Sequence, residues 1–454
     1  VGGSSRWGGL CGLGRAGLCA SFGSVNWVVF FVVLALSIIV AVHECGHYIV
    51  GRWCGIDAEV FSVGFGSVLL SRVDRHGTRW QIAALPFGGF VKFRGDADAA
   101  SAPNGPILLG LDPAELRRTM HGAPIWARAA TAAAGPVFNF ILSIILFCAL
   151  FMWQGQFTDS LKIATLSPTP SVNALQVGDE ITALNGLEVE NFEDFVTAGQ
   201  DVTAPVRYTV LREGRWVEAW GPVPFPALVS QVQPRSAAIE AGIEAGDVII
   251  RIDGKDVNGF GNLQMAVAAA DADEMLFTVW RGGTEFDVVL TSRPVAIPGP
   301  DGSFENRRLV GITGGLFFEP GIEPLPFGTA ISAAVERTWY IITVSLAGLK
   351  QMILGSISTC NLSGPVAIAE TAGQVASQGA LQFLALIAGL STAVGLMNLF
   401  PIPVLDGGHL LFCAYETITG RKPSDSVLQF LMTFGLVLVL GLTVFAVVMN
   451  SICP

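Results

Sequence analysis

The sequence predicts a polytopic α-helical membrane protein with about four transmembrane helices, a membrane-associated β-hairpin and two inserted α+β modules. Three observations predict this fold class. Of the 454 residues, 51% are hydrophobic and only 14% are charged, a balance typical of integral membrane proteins. Four segments are apolar over about 20 residues, the length that a spanning helix requires. Between the second and third of them lies a long polar stretch that contains an internal repeat.

The predicted spans are residues 27–50, 129–153, 381–399 and 427–448. Residues 1–23, before the first span, are interpreted as a disordered or mis-called leader, with a cleaved signal peptide as the alternative. A further helix is expected over 337–355, but its uninterrupted apolar core has only about 11 residues. Because that core is too short to cross a bilayer, the segment is predicted to be an interfacial amphipathic or re-entrant helix.

The polar block between the first two spans, residues 51–123, contains two strand-like runs at 61–71 and 80–90, joined by "VDRHG". The runs predict a β-hairpin. They are rich in glycine and unusually apolar for a polar block, so we expect the hairpin to dip into the bilayer surface.

Two stretches of the long polar region resemble one another, "NALQVGDEITALNGLEV" (173–189) and "AGIEAGDVIIRIDGKDV" (241–257). In each, a Gly-Asp turn leads to a strand, and Asn-Gly or Asp-Gly then makes a tight turn. The repeat indicates two copies of one small module. The pattern is similar to PDZ domains of the protease-associated type, placed at 157–226 and 227–297. Two unrelated hairpins are the alternative.

The first span contains His43-Glu44-Cys45-Gly46-His47, which fits the pattern H-E-x-x-H. On a helix, residues four apart share a face, so both imidazoles can meet one metal ion with Glu44 beside them to handle a water proton. The alternative is a pair of buried histidines that bond to backbone carbonyls. Ionisable groups in a spanning segment are expensive, which favours the metal site.

A catalytic zinc takes three protein ligands and leaves one position open. Besides the two histidines above, the chain has His76, His121 and His409. The stretch "MNLFPIPVLDGGHLL" (397–411) offers Asp406 and His409 where prolines break a helix, and both compete for the third position. Broken helices at membrane depth occur where they are buried or line a wet cavity.

Topology gives an independent test of this pairing. If 337–355 does not span, the first and third spans cross in the same direction, so His47 and Asp406 reach the same leaflet. The polar loops on that side, 51–123 and 406–426, are rich in lysine and arginine, which predicts that they are cytoplasmic. The metal site would then lie in the cytoplasmic half of the bilayer, with the two modules outside.

Composition also excludes some functions. The formal net charge is −11, and no basic run is present, so nucleic acid is not an expected partner. The eight cysteines lie in or near apolar segments or at the ends of the chain, which argues against a disulfide framework.

From about Trp27 to its end, the chain resembles the site-2 protease family, in particular the bacterial members with tandem PDZ domains. The H-E-x-x-H motif, "GPVFN" with Gly135 and Asn139, and "NLFPIPVLDGG" (398–408) match the family's motifs. The resemblance selects Asp406 over His409 as the third ligand. It implies Zn²⁺ held by His43, His47 and Asp406, with Glu44 as general base. Asn398 is a candidate to bind substrate backbone or the oxyanion, a helix-packing amide being the alternative.

The resemblance further implies a bacterial inner-membrane endopeptidase with periplasmic PDZ domains. Such enzymes cut transmembrane segments of single-span substrates such as anti-sigma factors, in envelope stress signalling, and can clear remnant signal peptides. A site-1 protease makes the first cut, and the PDZ pair acts as a size filter. Peptide binding by the first copy stays open, since Asn173-Ala174-Leu175 replaces Ala241-Gly242-Ile243 of the second.

Two other functions remain as alternatives. A PDZ-bearing membrane scaffold would carry a structural metal with four protein ligands, and His409 would be the fourth. A metal transporter would need more intramembrane acidic groups and histidines than this chain has. The predicted layout is a leader (1–23), a first transmembrane pair with the hairpin (24–156), two PDZ-like domains (157–226 and 227–297), a linker with the interfacial helix (298–380) and a second transmembrane pair (381–454).

Overall fold

The structure, a computed structural model, describes residues 15–96, 110–157, 161–200, 202–270, 273–298, 304–355 and 364–452. The helices are α1 (Arg15–Trp53), α2 (Pro113–Arg117), α3 (Ile125–Gln154), α4 (Phe192–Gly199), α5 (Ala237–Glu240), α6 (Phe260–Ala269), α7 (Phe327–Ile353), α8 (Pro365–Gln378), α9 (Ala380–Asn398), α10 (Asp406–Thr419) and α11 (Asp425–Ile452). The first nine strands are β1 (Ala58–Val73), β2 (Arg79–Phe93), β3 (Gln156–Phe157), β4 (Leu161–Leu166), β5 (Glu180–Leu184), β6 (Leu187–Glu188), β7 (Val206–Arg212), β8 (Arg215–Gly221) and β9 (Val229–Val232). The others are β10 (Val248–Ile252), β11 (Lys255–Asp256), β12 (Glu274–Arg281), β13 (Thr284–Thr291), β14 (Arg293–Pro298), β15 (Phe304–Leu309), β16 (Ile312–Gly314), β17 (Phe318–Pro320) and β18 (Ile322–Glu323).

Four helices in the described part of the chain are long and apolar enough to cross a membrane, namely α1, α3, α9 and α11. The candidate spans are Phe30–Trp53, Ile125–Gln154, Ala380–Asn398 and Ser426–Met449. The prediction of four spans is thereby confirmed. Helix α1 begins at Arg15, inside the predicted leader, and residues 1–14 lie outside the described residues.

Helix α7 covers the segment predicted as interfacial, and it begins ten residues earlier, at Phe327. It is not one of the four candidate spans. Ala330, Ala334 and Thr338, each four residues apart, are buried. Large apolar side chains are exposed elsewhere on the helix, among them Phe327, Ile331, Val335, Trp339 and Tyr340. The helix is thus amphipathic with an uncovered apolar side, and its position at the membrane interface stays a prediction.

Two compact units make up the chain. Unit 1 comprises residues 1–147, 334–342 and 362–454, and unit 2 comprises 148–333 and 343–361. In unit 1, α1 and α9 pack through Ala35, Ile39, Phe383 and Ile387, which form one buried apolar cluster. Unit 1 therefore brings the first and third candidate spans side by side.

The predicted hairpin is present as β1 and β2, and it folds back on itself. Residues 60–63 face 79–82 and also 89–92, with an irregular register between the two halves. The bends occur where Gly64, Gly66 and Gly88 have φ of +93°, +85° and +144°, conformations that glycine adopts at little cost. The outer half exposes large apolar side chains, including Val68, Leu69, Leu70, Ile82 and Leu85.

Asp74 fastens the turn of this hairpin. Its Oδ1 accepts hydrogen bonds from the backbone N–H groups of His76 and Thr78, and its Oδ2 accepts from the Tyr48 hydroxyl and the Trp80 indole N–H. Burial raises the pKa of Asp74, but these hydrogen bonds outweigh burial and hold the pKa at about 2. The turn is therefore fixed to helix α1 by an ionised carboxylate.

Unit 2 contains two copies of one arrangement, as the internal repeat predicts. Repeat 1 runs from β4 to β8 and includes α4, and repeat 2 runs from β9 to β13 and includes α5 and α6. In both, a strand leads through an Asn-Gly or Asp-Gly turn to a short strand, a helix and a closing hairpin. Asn185, Gly186, Asp253 and Gly254 all have positive φ, as type I′ turns require.

The Gly-Asp motif has the same structural role in each repeat. Asp179 accepts hydrogen bonds from Gln176 N–H and from both Nε and Nη2 of Arg212, at 2.7–2.8 Å. In repeat 2, Asp247 accepts from Glu244 N–H and from the same two atoms of Arg281, at 2.6–2.9 Å. Asp179 thus links the turn before β5 to the end of β7, and Asp247 links the turn before β10 to the end of β12.

A segment after repeat 2 completes the sheets of both repeats. Strand β16 pairs with β9 of repeat 2, and β17 pairs with β4 of repeat 1. Val310 lies in the apolar core of repeat 2, whereas Phe317 and Phe318 lie in that of repeat 1. The structure therefore differs from the predicted boundary at residue 297, because residues 310–320 of the predicted linker belong to the two repeats.

The two ends of this insertion meet. Strand β3 pairs with β18 through Phe157–Ile322 and Gln156–Glu323. Gly155 lies so close to the Glu323 carbonyl that a Cβ there would be 2.5 Å from the oxygen. Chain entry and chain exit are therefore adjacent within unit 2.

Candidate metal centre

The H-E-x-x-H motif lies in α1, in its last three turns. Because residues four apart share a helix face, the His43 and His47 rings lie together, with centroids 4.8 Å apart and planes at 81°. Their Nε2 atoms are 3.2 Å apart. Both rings are largely buried, so the two nitrogens face a shared, protected position.

Asp406 is distant from the two histidines in the sequence but lies beside them in the structure. Helix α9 ends at Asn398, the segment with Pro401 and Pro403 interrupts the helix, and α10 begins at Asp406. The two following glycines fit closely against this loop. A Cβ on Gly407 would lie 2.2 Å from Phe400 O, and one on Gly408 would lie 2.4 Å from Ile402 O. The glycine pair therefore lets the start of α10 pack directly against the preceding loop.

Three ligand atoms converge at this point. The Nε2 atoms of His43 and His47 lie 3.1 and 3.4 Å from the Asp406 carboxylate oxygens. With the separation of the two nitrogens, these distances match the edge of a tetrahedron whose bonds are about 2.0–2.1 Å, roughly 3.3 Å. Within the described part of the chain, Asp406 Oδ2 is buried and accepts no hydrogen bond. Two imidazoles and a carboxylate with this spacing fit a zinc ion.

Glycines at the contact between α1 and α3 leave room for the side chains of His43 and His47. A Cβ on Gly46 would lie 2.5 Å from Ala134 O, and one on Gly135 would lie 2.3 Å from His47 Nε2 and 2.7 Å from His43 Nε2. Gly135 belongs to the stretch "GPVFN" that matches a motif of the family. The structure adds that its missing side chain leaves the space beside both imidazole nitrogens open.

Hydrogen bonds orient both rings from the side opposite the cluster. His47 Nδ1 lies 2.8 Å from the Thr131 carbonyl oxygen, which can only accept, so Nδ1 carries the proton and Nε2 is left as a ligand. His43 Nδ1 lies 3.2 Å from the Asn139 side-chain amide. Histidine ligands commonly have such a partner on the second nitrogen.

Glu44 points towards the hairpin. A Cβ on Gly89 would lie 3.0 Å from Glu44 Cγ, so the backbone of β2 passes directly beside this side chain. Glu44 therefore lies between the histidine pair and the inner half of the hairpin.

A nearly buried ion pair holds α10 to α3. Arg128 Nη2 donates to Glu416 Oε1 at 2.8 Å, and Arg128 Nε donates to the Ala123 carbonyl. Helix α10 carries Asp406 and α3 carries Gly135, so this pair fixes two walls of the site relative to each other. Sequence reasoning did not single out Arg128 or Glu416. Their only sequence signal is a charged residue next to an apolar span.

The other candidate residues lie outside the converging group. Among the residues that the structure describes, the metal-ligating group consists of His43, His47 and Asp406, without His409. The His409 ring packs edge-on against Phe412 instead. His121 Nε2 lies 3.1 Å from Asp96 Oδ1. Asn398 is the last residue of α9, and its role stays a prediction.

The fold and the site together define a membrane protein with a candidate metal centre between three helices. A model of peptidase family M50 matches residues 31–442. A protein of Agrobacterium fabrum named "Putative zinc metalloprotease" is 32% identical over 433 residues, which cover 94% of this chain and 97% of the relative. A protein of the same name in Brucella suis is 34% identical over 431 residues, 93% and 96% of the two chains. The regulator of sigma-E protease RseP of Salmonella typhimurium is 32% identical over 466 residues, 93% and 98%.

The chain therefore belongs to peptidase family M50. This membership confirms the predicted resemblance to site-2 proteases and, at the level of the family, the prediction of a zinc-dependent metallopeptidase.

Proposed function

We propose that this protein is a zinc-dependent intramembrane endopeptidase in which His43, His47 and Asp406 hold the metal and Glu44 is the general base. The observation that carries the proposal is the convergence of two imidazole nitrogens and a carboxylate at 3.1–3.4 Å. The imidazoles belong to a helix of membrane-spanning length, and the carboxylate belongs to the first residue of α10. When bound, zinc supplies a Lewis acid that polarises the scissile carbonyl and acidifies a water molecule. Glu44 takes up the water proton and later delivers it to the leaving amine.

The substrate is proposed to be the transmembrane segment of a single-span protein. The depth of the site supports this class, because His43 and His47 lie in a candidate span. Anti-sigma factors, already cut once by a site-1 protease, and remnant signal peptides are the expected substrates. One relative, named as a regulator of sigma-E protease, supports the first of these. Asn398, at the end of α9, is proposed to bind substrate backbone or the oxyanion.

The cellular location is proposed to be the bacterial inner membrane. Arg75, Arg94 and Lys422 are among the basic residues of the loops on one side, which supports a cytoplasmic position for these loops and for the metal site beside them. Repeats 1 and 2 would then be periplasmic PDZ-like domains that admit only trimmed substrates.

The scaffold with a structural metal is the weaker candidate. It requires a fourth protein ligand, and His409 is not in the converging group of the described residues. Three ligands leave a position open, as catalysis requires.

Purified protein with a model transmembrane substrate tests the site. Glu44→Gln keeps the shape but removes the proton acceptor, so we expect cleavage to fall by on the order of 10²–10⁴-fold while about one zinc per chain stays bound. Glu218→Gln, the same change at an exposed position of β8, is the matched control. Asp406→Ala should lower the zinc content, whereas His409→Ala should leave it. Wild-type turnover in Glu44→Gln would overturn the peptidase mechanism, and equal zinc loss in the last two variants would favour the structural site.

The size-filter role has its own test. Replacing 158–321 with a short linker removes both repeats but keeps the β3–β18 pair that closes the insertion. We expect this variant to cleave untrimmed substrate, which the full chain rejects, with unchanged zinc content. If cleavage of trimmed substrate is lost instead, the repeats are a docking site and not a filter.

A further inference from the structure

Asn139 is a buried polar residue of α3 that contacts the proposed metal centre. Its side chain is fully buried, and its amide Nδ2 is placed 3.2 Å from His43 Nδ1. Its backbone carbonyl accepts a hydrogen bond from the Ser391 hydroxyl of α9 at 2.8 Å. The backbone of Asn139 is therefore bound to α9, and its side-chain amide faces His43.

The placement of this amide leaves one atom without a partner. Asn139 Oδ1 is buried and accepts no hydrogen bond from the residues that the structure describes. A buried polar atom without a partner costs about 1–3 kcal/mol, so such atoms are rare and need an explanation. The oxygen and nitrogen of an asparagine amide have nearly the same shape, and their assignment rests on the hydrogen bonds around them.

The chemistry of His43 decides between the two orientations. His43 Nε2 faces His47 and Asp406, at 3.2 and 3.1 Å. A neutral imidazole that gives Nε2 to a metal carries its proton on Nδ1, and that N–H needs an acceptor. With Nδ2 beside it, two donors would face each other. Turning the amide by 180° places Oδ1 at Nδ1–H, so that the imidazole N–H donates and the amide oxygen accepts.

We infer that Asn139 is a positioning residue whose Oδ1 accepts a hydrogen bond from His43 Nδ1–H and so directs Nε2 into the metal centre. The inference rests on the proposed function, because it assumes that His43 is a ligand. It gives the G-x-x-x-N element of α3 two distinct tasks four residues apart. Gly135 leaves space beside the ligand nitrogens, and Asn139 orients one ring from behind.

The neighbouring ligand shows why this role can be tested. His47 obtains its acceptor from the Thr131 backbone carbonyl, which a side-chain substitution does not remove. His43 obtains its acceptor from a side chain. Substitution of Asn139 therefore changes the hydrogen bond to His43 and leaves the hydrogen bond to His47 unchanged.

The experiment measures the zinc dissociation constant of full-length protein by competition with a chelating dye. Asn139→Leu keeps the volume but removes the acceptor, and we expect affinity to fall 10–100-fold. Asn139→Asp keeps an acceptor and removes the donor, so affinity should stay within a few fold of wild type. Ser391→Ala removes only the bond to the backbone carbonyl of Asn139 and should bind as wild type does. The visible absorption of the Co²⁺ form should change in Asn139→Leu and stay unchanged in the other two.

Three results would overturn the inference. Wild-type affinity and spectrum in Asn139→Leu would make Asn139 a helix-packing amide. Weak binding in Asn139→Asp would mean that the donor, and not the acceptor, is needed, and this variant decides alone if Asn139→Leu does not fold. Failure of the wild-type protein to bind zinc would remove the proposed function as well, whereas the first two results leave that function standing.

Discussion

Repeats 1 and 2 share the arrangement of strands described above, and each contains a buried aspartate bound by one arginine, Asp179–Arg212 and Asp247–Arg281. We call each of these ion pairs an Asp–Arg fastening. The two repeats nevertheless obtain their edge strands differently. Repeat 2 pairs β9 with β16, which follows its own last strand after one intervening hairpin. Repeat 1 pairs β4 with β17, and Phe318 lies opposite Leu166, so its edge strand comes from beyond the whole of repeat 2. One segment, 310–320, thus contributes to both sheets and both cores.

The difference teaches that repeat 1 is not complete within its own stretch of sequence, because the chain beyond repeat 2 supplies one of its strands and part of its core. Side chains of the shared segment are as deeply buried as those of the repeats themselves. Phe317 and Phe318 are 0% and 1% exposed, and their rings lie 5.6 Å from Tyr208 and 5.5 Å from Phe195 of repeat 1. Repeat 1 cannot bury its core until the chain beyond repeat 2 is in place.

The largest expected effect comes from truncating the shared segment. Phe318→Ala should destabilise repeat 1 by about 3–5 kcal/mol, the usual cost of removing a buried phenylalanine ring. Hydrogen exchange of the full-length protein, read peptide by peptide, should show faster exchange in β4, β5 and β7. Val310→Ala, on the same segment but in the core of repeat 2, is the matched control and should act on β9 and β10. Equal effects of both variants on both repeats would contradict the division of the segment.

Part of this architecture could be predicted from the sequence, since it depends on local patterns. The spans follow from apolar length, the metal pair from the i, i+4 spacing of His43 and His47, and the repeat from its Gly-Asp and Asn-Gly turns. The role of β17 could not be predicted, because a three-residue strand has no periodicity and its partner is about 150 positions away. The same holds for the fold-back of the hairpin, where Gly64 and Gly88 signal a bend but not its direction.

The site shows the same division between local and non-local information. Asp406 was one of two local candidates, and the choice between it and His409 needed the family resemblance. The positions of Gly135 and Asn139 around the imidazoles depend on how α3 packs against α1, which no spacing within one helix specifies. Motif residues were therefore predictable as a set, whereas the residues that support them were not.

A smaller effect is expected from the fastenings that the repeats share. Asp179 and Asp247 are each 1% exposed and are each bound by two atoms of one arginine. Because the geometry is the same, Asp179→Ala and Asp247→Ala should each cost on the order of 2–3 kcal/mol, as loss of charged hydrogen bonds does. Each variant should accelerate hydrogen exchange in its own repeat. A loss in one repeat without a loss in the other would show that the fastenings are not equivalent.

Lowering the pH tests the Asp179–Arg212 contact of repeat 1 in a second way. Burial raises the pKa of Asp179, but the Arg212 hydrogen bonds outweigh burial and hold the pKa below its ordinary value. The stabilisation is therefore complete above the pKa of the unfolded chain and is lost as pH falls through the lower, folded value. The protection factors of amides in repeat 1, which correct for the intrinsic slowing of exchange in acid, should fall on acidification in wild-type protein and change less in Asp179→Ala.

The smallest expected effect concerns a local difference between the Asp–Arg fastenings of the two repeats. Gly242 in repeat 2 has φ of +76°, whereas Ala174 takes the equivalent place in repeat 1 without a positive φ, and both carbonyls accept from the fastening arginine. A Cβ on Gly242 would meet nothing within 4 Å, so the cost of Gly242→Ala is the backbone conformation alone, about 1 kcal/mol. Gly261→Ala in α6 also meets open space but has no positive φ, and it should be neutral or slightly stabilising. Exchange in β10 should therefore rise about fivefold in the first variant and not in the second. If the two alanine variants behave alike, the left-handed residue before the Gly-Asp turn is not a constraint on the stability of repeat 2.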